Sequence, residues 1–215
     1  DLNEWKNMVI KRLKNPQKDV KICVVGKYIA LQDAYKSIYE ALVHGGIANN
    51  ARINVVKIDS ENLETGKADN KLKGVNGILI PGGFGAAKNL SNWAFAGPDC
   101  TVQPGVAALI QDMVAAGKPV AALCVAPVLL AKALSGMGIT LTLGTPEGAS
   151  PYDIEGFHAG VASLGAKPVA CELGEIAVDA AHKVVTTPCY MMDAGPAAIL
   201  AGVRKACAQL LAWTA

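Results

Sequence analysis

Cys124 is the residue in this sequence best placed for nucleophilic chemistry. It lies in the run Ala122-Leu123-Cys124-Val125-Ala126-Pro127, which predicts an apolar strand that breaks directly into a helix. A nucleophile at such a junction is held on a strained turn, with its sulfur at the start of the helix. The helix dipole and the free amides there favour the thiolate, which is the reactive form. We therefore expect Cys124 to be a nucleophile.

A glycine-rich loop, Pro81-Gly82-Gly83-Phe84-Gly85, follows another predicted strand. Ligands of an open parallel sheet bind at the carboxyl ends of its strands, so this loop is expected to face Cys124. The amides of Gly82 or Gly83 and of Val125 are then expected to receive a developing oxyanion. The competing interpretation is that Cys124 belongs to the core, as most cysteines that end apolar strands do.

The other five cysteines have no paired spacing and no Cys-x-x-Cys motif, so neither a disulfide framework nor a zinc site is expected. We predict reduced thiols in a cytosolic setting. Cys23, Cys171 and Cys207 are predicted to be in the core, and Cys100 to be an exposed loop thiol. Cys189 follows a strand and could approach the same sheet edge as Cys124.

The sequence has three histidines, any of which could in principle serve as the base for a nucleophilic cysteine. His44 ends a predicted helix, His158 opens one, and His182 lies in a polar turn. None of them follows a strand at the predicted carboxyl edge. A Cys-His-acid triad is therefore not expected.

Predicted strands alternate with predicted helices along the whole chain, which indicates an α/β fold with a mostly parallel sheet covered on both faces. Residues 1–18 are predicted to form an amphipathic linker helix, and residues 19–215 a single domain. The predicted strands are 20–26, 52–58, 77–80, 119–123, 139–143, 169–171, 176–178 and 184–186. The predicted helices are 2–14, 33–44, 104–116, 127–134, 157–164 and 196–213.

Composition narrows the possible partners. The formal net charge of the 215 residues is only +2, which argues against nucleic acid or a membrane surface as a partner. The longest apolar run, residues 119–132, is too short to span a bilayer, and the polar N-terminus has no secretory signal. We expect a cytoplasmic protein with no cofactor and no metal, with a small molecule at most as ligand. A homodimer is one assembly that the sequence leaves open.

Residues 1–85 closely resemble the glutaminase domain of the CTP synthase family. The resemblance is carried by Asp1-Leu2-Asn3-Glu4-Trp5, Val25-Gly26-Lys27-Tyr28, Gln32-Asp33-Ala34-Tyr35-Lys36-Ser37-Ile38 and residues 77–85. In that family the leading segment is the linker from the synthetase domain. The family also implies a nucleophilic Cys followed by Leu-Gly, and a late His-Pro-Glu. This chain has Cys-Val-Ala-Pro and Thr-Thr-Pro-Cys instead, so glutamine hydrolysis is expected to be lost.

Residues 77–215 resemble a different family, the enhancing-lycopene-biosynthesis, glyoxalase-like proteins. The resemblance is carried by residues 81–91, Gly117-Lys118-Pro119, Cys124-Val125-Ala126-Pro127 and Lys183-Val184-Val185-Thr186-Thr187-Pro188. That family implies a glutamate from the first helix beside the cysteine. Here Ser37 occupies its position, and Glu40 is one helical turn further on. The family's long insertion between the second and third strands is also missing.

Both resemblances imply the same fold, a three-layer, flavodoxin-like sheet of the class I glutamine amidotransferase type. They overlap at residues 80–85, a motif that the two families share, and we therefore expect an engineered hybrid joined there. The missing initiator Met and the start within a linker fit an excised segment. A natural, divergent member of the superfamily is the alternative.

Three functional hypotheses follow. The first is a folded hybrid whose Cys-containing pocket lacks a complete catalytic set and has little or no native activity. The second is a cofactor-independent glyoxalase or deglycase-like enzyme acting on small 2-oxoaldehydes. In it Cys124 would form a hemithioacetal, Gly82 and Gly83 would hold the oxyanion, and water or Glu40 would move protons. The third is an interaction module that docks through Leu2 and Trp5 of the first helix.

Overall fold

The computed structural model describes residues 1–31, 33–64 and 69–214. Gln32, which belongs to one of the motifs above, lies outside the described residues, as do positions 65–68 and 215.

A six-stranded sheet with the order β2-β1-β3-β4-β8-β7 forms the centre of the molecule. All pairings are parallel except that of β7 with β8, which is antiparallel. The predicted flavodoxin-like, mostly parallel sheet is therefore confirmed. Two further strands, β5 and β6, pair separately. The strands are β1 Lys18–Gly26, β2 Ala51–Asp59, β3 Gly77–Ile80, β4 Val120–Leu123, β5 Thr140–Leu141, β6 Lys167–Pro168, β7 Ala177–Asp179 and β8 Val184–Thr187.

Helices follow most of the strands and cover both faces of the sheet. The N-terminal helix α1 (residues 2–14) contains a π-helical stretch, Lys6–Ile10, between the α-helical Leu2–Trp5 and Lys11–Lys14. The other helices are α2 Lys36–Ala48, α3 Glu61–Glu64, α4 Asp69–Leu72, α5 Phe84–Leu90, α6 Trp93–Ala96, α7 Pro104–Ala115, α8 Pro127–Ala133, α9 Ile154–Ser163 and α10 Pro196–Ala212. Two single turns of 3₁₀ helix lie at Gly97–Asp99 and Cys189–Met191.

The central strands are buried on both faces, as parallel strands between two helical layers must be. Each residue of β3, β4 and β8 is buried. Small side chains such as Ala121 and Ala122, both fully buried, let the helices approach the middle of the sheet closely. This close packing positions the two loops that leave β3 and β4.

Helix α2 differs from its prediction at both ends. The helix was predicted over residues 33–44, but it begins at Lys36, and the side chain of its N-cap, Tyr35, makes no capping hydrogen bond. It also continues beyond the predicted end, to Ala48. A Cβ on Gly46 would lie 2.6 Å from Ile53 Cγ1, so this glycine serves the close approach of α2 to β2 rather than a helix end.

The predicted strand at residues 169–171 is wrong. The chain pairs with β5 two residues earlier, at Lys167–Pro168. Beyond these residues the Val169 amide donates to the Leu141 carbonyl (2.9 Å), and the Cys171 amide donates to the Gly144 carbonyl (3.3 Å). Because β5 is only two residues long, these bonds do not form a regular strand pairing at 169–171.

Helix α1 lies against the end of α2 and leaves much of its apolar surface open. The Arg12 guanidinium donates hydrogen bonds to the carbonyls of Ile47 (3.3 Å) and Ala48 (2.9 Å). Leu2 and Trp5 are 66% and 52% exposed. The linker role of residues 1–18 remains a prediction. In the part of the chain that the structure describes, no helix has the length and apolar character needed to cross a membrane.

Candidate functional site

Cys124 lies on the turn that joins β4 to α8, with a left-handed backbone (φ 60°). Its amide donates to the Thr187 carbonyl (3.0 Å), which extends the pairing of β4 with β8 by one residue. The next turn is closed by a hydrogen bond from the Ala126 amide to the Leu123 carbonyl (3.0 Å). A left-handed, non-glycine residue costs roughly 1–3 kcal/mol and persists only where its surroundings hold it. The backbone around Cys124 is therefore strained, as predicted for a nucleophile.

The β3–α5 loop passes directly against this turn. A Cβ on Gly82 would lie 2.2 Å from the Cys124 Cβ and 2.7 Å from the Leu123 carbonyl oxygen. Gly83 has φ 104°, a conformation that side chains rarely allow. The two segments expected to converge at the carboxyl edge of the sheet therefore do so, and glycine is required at both positions.

Four backbone amides lie close enough to the Cys124 thiol to stabilise its thiolate: those of Gly83, Val125, Tyr190 and Met191. The sequence pointed to the first two, and it missed the last two, which belong to the 3₁₀ turn after β8. A signal for them existed, because the neighbouring Cys189 follows a predicted strand and could therefore approach this edge. Whether Gly82, Gly83 and Val125 serve as oxyanion donors stays a prediction.

The surroundings of Cys124 do not favour its thiolate over its thiol, contrary to the expectation from the sequence. Burial raises the pKa of the Cys124 thiol above its usual value, and the four amides only partly oppose this effect. Cys124 as a whole is 9% exposed, so little water reaches the charge that deprotonation would create. Cys124 is therefore a neutral thiol near pH 7 that nevertheless faces a cavity.

Cys189 lies at the same edge of the sheet, as its position after β8 suggested. It too has a left-handed backbone, with φ 48°, and it lines the same cavity as Cys124. Burial and, to a smaller extent, the neighbouring Cys124 raise the pKa of Cys189 to about 12. Two thiols therefore line the same cavity, and the surroundings of Cys189 strongly disfavour the loss of its proton.

The cavity beside Cys124 has a volume of about 260 Å³. It is lined by residues from α2, the β3–α5 loop, the β4–α8 turn, the segment before α9, the turn after β8, and α10. These are Ala34, Tyr35, Ser37, Ile38, Pro81, Gly82, Gly83, Phe84, Leu123, Cys124, Tyr152, Cys189, Tyr190, Ile199 and Val203. Among these described lining residues there is no histidine, carboxylate, lysine or arginine.

The three histidines all lie away from this cavity. His44 is exposed on α2 beside Trp5 and Met8. His158 is half-buried on α9; burial lowers its pKa, and the Gly144 carbonyl opposes this. His182 pairs with Asp179 (Nδ1 to Oδ2, 2.9 Å) in the β7–β8 turn, at the opposite end of the sheet. Within the described residues, no imidazole is placed to take the Cys124 proton.

Ser37 and Glu40 occupy different faces of α2. Ser37 lines the cavity, where the glyoxalase-like resemblance implies a glutamate. Glu40 is exposed and does not line it. The structure therefore brings a hydroxyl, and not a carboxylate, to the side of the cavity across from Cys124.

The remaining cysteines are structural. All six cysteines of the chain are free, and all are buried. The expectation that Cys100 is exposed is wrong, because it is 1% exposed. Lys132 Nζ donates to the Pro98 carbonyl (2.9 Å) and ties the 3₁₀ turn before Cys100 to α8, which folds the thiol inward. In the described ranges, no three His, Cys, Asp or Glu side chains cluster as a metal site would require.

Comparison with known proteins shows one family and two groups of relatives. Residues 30–190 match the family Glutamine amidotransferase class-I. CTP synthases of Rhodospirillum centenum and Pelagibacter ubique are 53% and 52% identical to the chain over 85 residues, which is 40% of this chain. The match spans 16% of the length of each of these relatives.

Solved structures match over nearly the whole chain. An isoprenoid biosynthesis protein with an amidotransferase-like domain from Ehrlichia chaffeensis aligns with a TM-score of 0.65 at 15% identity, covering 90% of this chain and 99% of that one. DJ-1beta of Drosophila melanogaster aligns with a TM-score of 0.53 at 15% identity, covering 91% and 95%. At this identity the likeness shows a shared fold.

Proposed function

The chain belongs to the class-I glutamine amidotransferase family, and from this premise we propose that its pocket captures small 2-oxoaldehydes at Cys124 with little or no turnover. One observation carries the proposal: the strained Cys124 lines a cavity whose described lining holds backbone amides but no charged or imidazole side chain. Such a site can add a thiol to a carbonyl and stabilise the product, but it lacks a group to move protons afterwards.

Glutamine hydrolysis is not supported by this geometry. A cysteine amidase needs a base to activate its thiol and an acid to protonate the departing ammonia. The described lining residues supply neither, and Cys189 stands after β8, close to where the CTP synthase resemblance implies His-Pro-Glu. The ammonium and carboxylate groups of glutamine would also find no counter-charge in the lining, and burying them unpaired is costly.

Capture of an aldehyde needs fewer catalytic groups than glutamine hydrolysis does. The Cys124 sulfur bonds to the aldehyde carbon, the carbonyl π bond breaks, and the thiol proton passes through water to the new oxygen, giving a hemithioacetal. The amides of Gly83 and Val125 lie near the sulfur and can donate to that oxygen while it is negative. Conversion to a hydroxy acid would then require a base to remove the carbon-bound hydrogen. Ser37 is no such base, and Glu40 does not line the cavity.

The two families of relatives support a hybrid origin. High identity to CTP synthase is confined to 85 residues, whereas the fold matches an amidotransferase-like protein over 90% of the chain. We propose that two related domains are joined near residues 80–85, where β3 pairs with β1 on one side and β4 on the other. An uninterrupted natural reading frame across codons 60–110 in genomic DNA would overturn an engineered origin.

Homodimer formation through α1 is the second candidate. Leu2, Trp5 and Met8 are 66%, 52% and 47% exposed on this helix, which is a large apolar surface to leave in water. Size-exclusion chromatography with light scattering tests it, with Trp5→Ser as the matched variant. A dimer that this substitution dissociates supports the idea, and a monomer at high concentration rejects it.

Methylglyoxal tests the main proposal directly. The rate of Cys124 alkylation by iodoacetamide is followed by peptide mass spectrometry with and without methylglyoxal, and lactate is assayed in parallel. We expect methylglyoxal to slow alkylation, and lactate to form at the same background rate in wild type and Cys124→Ala. Cys100→Ala, which removes a buried thiol outside the cavity, is the control. Absence of protection would overturn capture, and lactate above the Cys124→Ala rate would show a working enzyme.

A further inference from the structure

The cavity beside Cys124 is apolar as well as uncharged. Aliphatic side chains of Ile38, Leu123, Ile199 and Val203 form part of its wall. A nearby cation, Lys88, lies over the Phe84 ring at 5.3 Å from its centroid and does not itself line the cavity. A charged ligand group that entered would lose water and gain no ion pair among the described lining residues, so its entry is unfavourable.

One wall of the cavity is an aromatic pair. The rings of Phe84 and Tyr152 are nearly parallel, at 6° and with centroids 5.7 Å apart. Phe84 follows the glycine pair of the β3–α5 loop, so it stands next to the residues that touch Cys124. Both residues line the cavity that Cys124 also lines, so a ligand there would contact aromatic side chains.

Hydrogen bonds hold Tyr152 in place. Ser150 Oγ donates to the Met191 carbonyl (2.6 Å) and accepts from the Tyr152 amide (3.0 Å). The Met191 amide in turn lies at the Cys124 thiol. The segment that carries Tyr152 is therefore fastened to the same 3₁₀ turn that borders the sulfur, and the ring has a defined position relative to the reacting atom.

The volume suits one ring and a reactive group. An engineered apolar cavity of about 150 Å³ binds benzene. The cavity here, at about 260 Å³, therefore has room for a six-membered ring together with a short carbonyl-containing arm. Because Tyr152 and Cys124 line the same cavity, a ligand ring that contacts Tyr152 would leave its arm in a space that Cys124 also borders.

We propose that this pocket selects uncharged electrophiles with a flat, apolar substituent, and that Tyr152 is the residue that determines this specificity. The inference rests on the proposed function, since it assumes that Cys124 reacts with ligands held in the cavity. Its substrate class is aryl-substituted, neutral aldehydes and 2-oxoaldehydes, in preference to anionic 2-oxo acids or zwitterionic amino acids.

Alkylating reagents test the selection by charge without any assumption about turnover. Iodoacetamide and iodoacetate react in the same way: the sulfur displaces iodide, and the thiol proton passes to solvent. Their rate ratio at Cys124 is compared with the ratio for N-acetylcysteine methylamide, an uncharged small thiol. We expect the protein to favour the amide reagent at least tenfold more than the small thiol does. This factor corresponds to about 1.4 kcal/mol, and burying an unpaired charge costs more than that.

Maleimides test the selection by shape. The ratio of N-phenylmaleimide to N-ethylmaleimide rates at Cys124 is measured for wild type, Tyr152→Ala and Tyr152→Phe. We expect Tyr152→Phe to keep the wild-type ratio, since it keeps the ring. Tyr152→Ala should lower the ratio of N-phenylmaleimide to N-ethylmaleimide rates about fivefold, which is within the range for the loss of an aromatic contact. Phe95→Ala, at an exposed ring outside the lining, is the control and should change nothing. Thermal melts establish that each variant is folded.

The outcomes separate this inference from the proposed function. A Cys124 that no reagent labels in the folded protein would overturn both. The selectivity would be overturned if Cys124 reacts but has the same iodoacetamide to iodoacetate ratio and the same N-phenylmaleimide to N-ethylmaleimide ratio as the small thiol. That outcome would leave the capture of aldehydes intact. A phenyl preference that survives Tyr152→Ala would overturn the role of Tyr152.

Discussion

The backbone of Gly82 rests against Cys124 so closely that a methyl group on Gly82 would lie 2.2 Å from the Cys124 Cβ. The loop after β3 and the turn after β4 are thereby locked together. The strained conformation of Cys124, at φ 60°, depends on this support.

Gly82→Ala is therefore expected to disturb both stability and the site. The added methyl group meets backbone atoms of the next strand, which cannot move aside cheaply, and we expect a loss of about 1–3 kcal/mol in the free energy of unfolding. Iodoacetamide labelling of Cys124 should change in rate as the turn shifts. Urea unfolding and labelling kinetics measure the two effects. Gly195→Ala is the matched control, because nothing lies within 4 Å of a Cβ there. Equal stability of the two variants would contradict the close contact.

The alkylation rate of Cys124 should rise at a higher pH than that of an exposed cysteine. Burial raises the pKa of its thiol, so the reactive thiolate is scarce at pH 7 and increases as pH rises. We expect the midpoint of the alkylation rate against pH to lie above that of an exposed cysteine, about 8.5. The measurement is the iodoacetamide rate between pH 6 and 10.5, with N-acetylcysteine methylamide as reference. A midpoint at or below that of the reference would show that the amides outweigh burial.

Asp179 is expected to stabilise the fold as a carboxylate. It is buried and accepts hydrogen bonds from the Thr140 amide (2.7 Å) and from the His182 amide (3.0 Å) and ring (2.9 Å). Burial alone would raise the pKa of Asp179, but these hydrogen bonds outweigh it and hold the pKa below its usual value. The stabilisation is therefore present above the unfolded pKa of about 3.9 and is lost as pH falls through the lower, folded value.

Asp179→Asn should accordingly lower the free energy of unfolding by about 1–3 kcal/mol at pH 7, with the difference from wild type shrinking below pH 4. Urea unfolding at pH 7, 5 and 3 measures this. Asp112→Asn, at an exposed position on α7, should have little effect at any pH. A difference that is independent of pH would mean that shape, and not charge, makes Asp179 important.

Ser37→Glu tests the missing proton carrier. The substitution brings a carboxylate to the cavity that Cys124 lines, and a positioned acid–base group contributes about 100-fold or more to rates of proton transfer. We expect lactate production from methylglyoxal to rise well above the wild-type background. Ser37→Gln, of the same size but uncharged, should not raise it, nor should Ser37→Glu combined with Cys124→Ala. Background rates in Ser37→Glu would mean that the site lacks more than a carboxylate.

Much of the site could be predicted from sequence because its signals are local. An apolar run that ends at Cys124 and continues into a Pro-initiated helix predicts a strand, a turn and a helix, and the structure has β4, the turn and α8 there. Pro81-Gly82-Gly83 after a buried strand likewise predicts a loop that allows close approach. Parallel pairing then brings the two loops to one edge, because the carboxyl ends of neighbouring parallel strands must meet.

Other features depended on contacts between distant segments. The helix predicted over residues 33–44 continues past Gly46, which allows the close approach of Ile53 on β2. Cys100 was predicted to be exposed from its loop sequence, but the hydrogen bond from Lys132 of α8 to the Pro98 carbonyl fixes that loop against the body of the protein. The pairing of Phe84 with Tyr152 joins residues 68 positions apart, and no local pattern in the sequence predicts it.

By itself, then, the sequence determined most of the strands and the longest helices, and it indicated the sheet edge at which Cys124 stands, since hydrophobic periodicity and glycine spacing act over a few residues. Only the tertiary structure decided how that thiol behaves. Burial raises the pKa of Cys124 against the opposing effect of neighbouring backbone amides, and side chains from several separate segments give the cavity its apolar character. Desolvation depends on everything packed around a group, so it is a property of the folded chain as a whole.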